Sequence, residues 1–188
     1  MDDTGPALQD LLKVHCFGCG ALNARGLQIK SRWDGDELVC HWRPPAHYIG
    51  HPGVVYGGAI ASVVDCHGIW TALAQCCRDE SLSLDPAAGA ALPLFVTGQL
   101  AVNFLRPAAI EQALQLRARV VGQDGRRSTV ACRVLQGETE CATAELVAVR
   151  DYFRVEDDAG ERYWLYRAGD GEDTATGSHR WFIHGVFG

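Results

Sequence analysis

Between Gly57 and about Arg78 the chain has its one candidate for a long helix, and beyond it the sequence alternates with period two as far as Arg150. In Thr97–Leu105, Leu100, Val102 and Phe104 alternate with Gln99, Ala101 and Asn103. Leu114, Leu116, Ala118 and Val120 alternate with Gln115, Arg117 and Arg119, and Gln123-Asp124-Gly125 turns the chain into Arg127–Leu135. Gly137 turns it again into Thr139–Arg150. Strands with one apolar face form an antiparallel sheet packed on one side only. The only large apolar object available to cover that side is the helix. The pattern therefore predicts an α+β domain, one long helix wrapped by a curved antiparallel sheet of about five or six strands.

Upstream, Leu8, Leu11 and Leu12 have helical spacing, and Cys16-Phe17-Gly18-Cys19-Gly20 is a tight glycine-rich turn. Leu27–Trp33 and Glu37–Arg43 read as strands joined at Asp34-Gly35-Asp36. Residues 44–56 form a loop rich in Pro, Gly and His, and 79–94 a polar connection. The segment after Arg150 changes character: it is acidic and holds half of the aromatic residues. Tyr152–Val155 and Arg162–Arg167 flank Asp157-Asp158-Ala159-Gly160, and a polar loop at 168–179 leads to Trp181–Phe187. Residues 1–150 are expected to form the main domain and 151–188 a small aromatic-rich β extension.

The helix itself carries the chemistry. Around Asp65, the positions three, four and seven residues away are Gly58, Ala61, Ser62, Gly68, Ile69 and Ala72, nearly all small. The opposite face is bulky, with Ile60, Val63, Val64, His67, Trp70 and Thr71. A carboxylate on an otherwise apolar helix is costly to bury unless it is paired or functional; the plain alternative is a solvent-facing aspartate. Gly57 and Gly58 open the helix, where backbone N–H groups lack intrahelical partners and face the positive end of the dipole. Such an end suits a carbonyl oxygen becoming an oxyanion. Gly57 and Asp65 are about 12 Å apart along one helix, too far to touch one carbonyl together. Two helices related by a two-fold axis bring Asp65 of one chain to Gly57 of the other, so a site built from both implies a homodimer or a dimer of dimers. His67, on the bulky face, reads as a packed core histidine.

Composition limits the alternatives. A net charge of −6 argues against nucleic acid, whose phosphates need a basic footprint. The acidic start lacks the regions of a secretion signal, and no apolar run reaches the ~20 residues of a membrane span, so a cytoplasmic protein without a membrane partner is expected. Most of the eight cysteines, spread over a core-forming domain, read as buried reduced thiols. Cys16 and Cys19 form a CxxC, but no second CxxC or HxxxH accompanies it, so no metal is expected there.

Cys16-Phe17-Gly18-Cys19-Gly20, Asn23, Gly26-Leu27, Gly50-His51-Pro52-Gly53-Val54-Val55-Tyr56-Gly57-Gly58 and Asp65, with the later Leu105-Arg106-Pro107, resemble hotdog-fold acyl-CoA thioesterases of the phenylacetate-pathway and thioesterase-superfamily type. The resemblance spans roughly residues 12–150. It implies hydrolysis of an acyl-CoA thioester by homodimers or tetramers, with no cofactor beyond the CoA of the substrate. It implies Asp65 as general base or nucleophile, the Gly57 amide polarising the thioester carbonyl with Gly58 beside it, and Thr97 placing water or substrate. Arg106, which would meet a CoA phosphate or else is a solvated strand-end arginine, and Asn103 are the candidate substrate contacts. The family pattern is His-Gly-Gly, and Tyr56 stands where the His belongs; a phenol donates a hydrogen bond but does not titrate near neutrality. That departure keeps a second reading open, a non-catalytic acyl-CoA or acyl-ligand binding protein. A hydratase is disfavoured, because no Asp-x4-His pair sits at the mouth of the helix. The RYWLYR and WFIHG stretches of the tail resemble the end segment of Y-family-like DNA-repair polymerase proteins, and no activity follows from so short a likeness.

Overall fold

The computed structural model describes residues 7–12, 14–84, 92–150, 153–156, 162–167 and 181–187. The predicted turn Asp157–Gly160, the loop 168–179 and part of the 79–94 connection lie outside them. The chain runs α1 (Leu8–Leu11), β1 (Ser31–Asp34), β2 (Glu37–Trp42), α2 (Gly57–Asp79), β3 (Phe95–Phe104), β4 (Leu114–Asp124), β5 (Arg127–Gln136) and β6 (Thr139–Arg150). Three shorter strands follow, β7 (Phe153–Glu156), β8 (Arg162–Arg167) and β9 (Trp181–Phe187).

The first six strands make one antiparallel sheet in the order β1-β2-β4-β5-β6-β3, and α2 packs across β3, β4, β5 and β6. Alternation decides the inner face: Leu38 and Cys40, Leu114 and Leu116, Val130 and Val134, and Ala142 and Leu146 are all essentially inaccessible. The bulky face of α2 meets them, with Ile60, Val63, Val64, His67, Trp70 and Thr71 all buried. Strand β6 offers mostly alanine to the helix, and where it offers Leu146 the helix answers with Gly68: a Cβ there would stand 3.0 Å from Leu146 Cδ1. Burying this apolar surface, at roughly 25 cal/mol per Å2, is what holds helix to sheet.

One boundary differs from expectation. The predicted strand Leu27–Trp33 is shortened to β1, because the backbone of residues 27–30 is committed elsewhere. Leu27 N donates to Phe17 O (2.7 Å) and Ile29 N to Gly18 O (3.1 Å), tying this segment to the CxxC turn. Beyond Arg150, β7, β8 and β9 pair in that order as a separate three-stranded antiparallel sheet.

Candidate functional site

The approach to α2 is built to fix its first turn. His51-Pro52-Gly53-Val54 closes a turn through Val54 N to His51 O (2.9 Å), with Gly53 at φ 77°, the conformation its third position demands. Val55 N then donates to Ala108 O and Tyr56 N to Tyr48 O, and the Tyr48 ring stands edge-on to Trp42, 5.9 Å between centroids. So anchored, Tyr56 becomes the residue before the helix at φ −59° and ψ 125°, and Gly57 and Gly58 become its first two residues. Their N–H groups have no acceptor four residues back within the helix. The Phe104 ring lies against Gly57, its Cζ 3.4 Å from where a Cβ would be. The Tyr56 ring folds over Gly58 so closely that a Cβ there would be 2.4 Å from a ring carbon; glycine is the residue that permits this overlap.

Asp65 is half-buried two turns further along, on the stripe of Gly58, Ala61 and Ser62 that the sheet leaves only partly covered. Thr97 Oγ1 donates to its Oδ1 at 2.5 Å. Simple alternation would put Thr97 on the outer face with Gln99 and Ala101. The register shifts between Thr97 and Gln99: Thr97 pairs with Ala148 and Gln99 with the adjacent Val147. The extra residue is Gly98, and this bulge turns Thr97 toward the helix together with Leu100 and Val102. Period-two counting missed this orientation, although a glycine inside a strand is the usual mark of a bulge.

The other predicted residues lie apart. Asn103 pairs with Thr143, on the outer face of β3, so one chain does not bring it to Asp65. Arg106 is exposed beyond the end of β3, its Nη1 donating to Glu140 O (3.2 Å). His67 is fully buried, as its face predicted: Nε2 donates to Leu38 O (3.0 Å), which fixes Nδ1 as acceptor from Ser31 Oγ (2.9 Å). Gln9 completes the network through Nε2 to Ser31 Oγ and its Oε1 from Ser31 N. Burial pushes the His67 pKa down to about 4.

One grouping was not visible in the sequence. The thiols of Cys16 and Cys19 meet a third, Cys66, the residue after Asp65, and the three Sγ atoms all lie within 4.8 Å of one another. The CxxC, expected to hold no metal for want of further ligands, thus has a third thiol beside it. Hydrogen bonds from Cys19 and Cys66 hold the Cys16 thiol far below its ordinary value, and the same contacts with Cys16 push Cys19 and Cys66 up. All eight cysteines are free. No helix among the described residues is long and apolar enough to cross a membrane.

Comparison with known proteins supports the resemblance read from the sequence. The family model of the thioesterase superfamily matches residues 52–143, which includes the glycine pair, Asp65 and Thr97. A thioesterase superfamily protein from Shewanella loihica is similar over 69% of this chain and 96% of its own, at 29% identity and a TM-score of 0.54. The PaaI protein of the Escherichia coli phenylacetic acid degradation operon is similar over 66% of this chain and 80% of its own, at 16% identity and a TM-score of 0.54. Protein ImuB of Caulobacter vibrioides is 52% identical over 42 residues. That match takes in 21% of this chain and 8% of ImuB, a span consistent with the tail segment.

Proposed function

From the hotdog fold that this chain shares with thioesterase-superfamily proteins, we propose that it is a thioester hydrolase acting on an acyl-CoA, with Asp65 as its catalytic carboxylate. The hydrogen bond from Thr97 to Asp65 carries the reading: it holds one oxygen of a half-buried carboxylate on the small-residue stripe. As general base, Asp65 takes a proton from water while the resulting hydroxide adds to the thioester carbon. The Gly57 N–H of a second chain stabilises the oxyanion. The C–S bond then breaks, and the CoA sulfur leaves with the proton returned from Asp65. Direct attack by the carboxylate is the nucleophilic version of the same site. The C–S bond breaks as the mixed anhydride forms and the CoA thiolate leaves; water then opens the anhydride, releasing the acid, restoring Asp65 and giving its proton to the thiolate.

The Tyr56 ring lying across Gly58 favours a second reading, an acyl-ligand binding protein without turnover. Hydrolysis of an acyl-CoA panel by wild type, Asp65→Asn and Tyr56→His separates the two. For the enzyme, Asp65→Asn keeps shape, loses charge and lowers turnover by ~100-fold or more. Tyr56→His keeps or raises the rate. Equal, substantial rates for wild type and Asp65→Asn would remove Asp65 from the mechanism, and an inert wild type would leave the binding protein.

A further inference from the structure

We propose that Cys16, Cys19 and Cys66 form a three-thiolate binding site for a thiophilic divalent cation of the zinc class. The site does not depend on the thioesterase reading. Its ligands come from two places fifty residues apart, the CxxC turn and the middle of α2. Cys16 Sγ stands 4.0 Å from Cys66 Sγ, and no pair in the trio exceeds 4.8 Å. Around a tetrahedral zinc with Zn–S near 2.3 Å, sulfurs lie about 3.8 Å apart, so a small closing movement completes the set. A disulfide would bring two sulfurs to about 2 Å and leave the third without a role; a cation uses all three.

The surroundings are those of a formed ligand set. Trp70 Nε1 donates to Cys19 Sγ at 3.0 Å, the kind of N–H contact that orients and stabilises a metal-bound thiolate. The turn is held without any ion: Gly20 N donates to Cys16 O (2.9 Å), and the Gln28 side chain donates to Gly20 O (2.9 Å) and Asn23 O (2.5 Å). Gly18 lets the turn lie directly on the helix, since a Cβ there would be 2.6 Å from Cys66 Sγ. Cys19 is buried while Cys16 is exposed, so the trio is reached from solvent on the Cys16 side. A bound cation would clamp the segment 16–29 to α2 one residue from Asp65.

The test uses the full-length protein, metal-stripped and reduced under anaerobic conditions, titrated with Co2+ as a spectroscopic probe. The expected result is one Co2+ per chain with thiolate-to-metal charge-transfer absorption, displaced by Zn2+. Cys66→Ser should weaken Co2+ binding by at least ~10-fold, a loss already typical of removing a group that merely supports a ligand. Cys76→Ser, on the same helix outside the trio, should leave it unchanged. Because Cys66→Ser could disturb packing, a second measurement needs no variant: Zn2+ should slow alkylation of Cys16 in the wild type, read by peptide mass spectrometry. Absence of the charge-transfer band, equal affinity in Cys66→Ser, or unchanged Cys16 alkylation with Zn2+ would each overturn the site.

Discussion

Asp65 and His67 are two residues apart on one helix, and their surroundings give them opposite parts. Asp65 sits on the half-covered stripe with a hydroxyl on one oxygen, and it is the carboxylate for which we propose the catalytic role. His67 sits where the sheet seals it, with both ring nitrogens committed, so it is held neutral. Its folded pKa of about 4 is below the ordinary 6.5, so the unfolded chain binds the proton first as pH falls. Stability from the neutral His67 is therefore fully present above pH 6.5 and is lost as the pH falls toward 4. The shift corresponds to a loss on the order of 3 kcal/mol. Urea unfolding at pH 7 and pH 4.5 should show it, and ring 15N shifts should report an uncharged His67 at pH 5.5. A His67 titrating near 6.5 would mean that the Gln9-Ser31-His67 network is open to water.

Whole elements were more legible than the contacts between them. The helix was bounded within a residue at its C-terminal end, and the four long strands after it were found, because each follows from a local period. The resemblance names Thr97 as a site residue, but alternation alone does not turn it toward the helix, since its orientation depends on one inserted glycine. Cys66 could not be joined to the CxxC, because only the docking of Phe17 and Gly18 against Leu27 and Ile29 brings the turn to the helix. The bulge gives a test at this scale. A Cβ on Gly98 would stand 2.8 Å from Val149 Cγ2, so Gly98→Val must displace the Val149 side chain, push β3 away from β6 or straighten the bulge. A destabilisation of about 1–3 kcal/mol in urea is expected, together with a fall in turnover as Thr97 leaves Asp65. Unchanged stability and rate would show that the bulge does not aim Thr97.

At the scale of the molecule, β3 is an edge strand of ten residues, and the exposed Phe104 and Leu105 lie at its end with Tyr56 also exposed. A long edge of this kind invites a second chain, as the two-helix site we propose would require. We propose that 1–150 folds without the tail, since β6 completes the six-stranded sheet at Arg150; a chain ending there should keep its circular dichroism, and an unfolded product would make β7–β9 part of the core. The shared site has a sharper test. Gly57 is the first helical residue, where proline fits without strain, and Tyr56 at φ −59° and ψ 125° has the backbone a following proline prefers. Gly57→Pro thus deletes one N–H and little else, and should cost ~100-fold or more in turnover as the loss of an oxyanion donor. Asp65→Asn is equally impaired. If each site takes Asp65 from one chain and Gly57 from its partner, a mixed dimer of the two variants has one site with both defects and one intact. Unfolding and refolding the variants together at equal concentration should then restore about a quarter of wild-type activity, because about half the dimers are mixed and each has one working site of two. Were both residues to act within a single chain, every site in the mixture would carry a defect, and the mixture would be no more active than the variants alone.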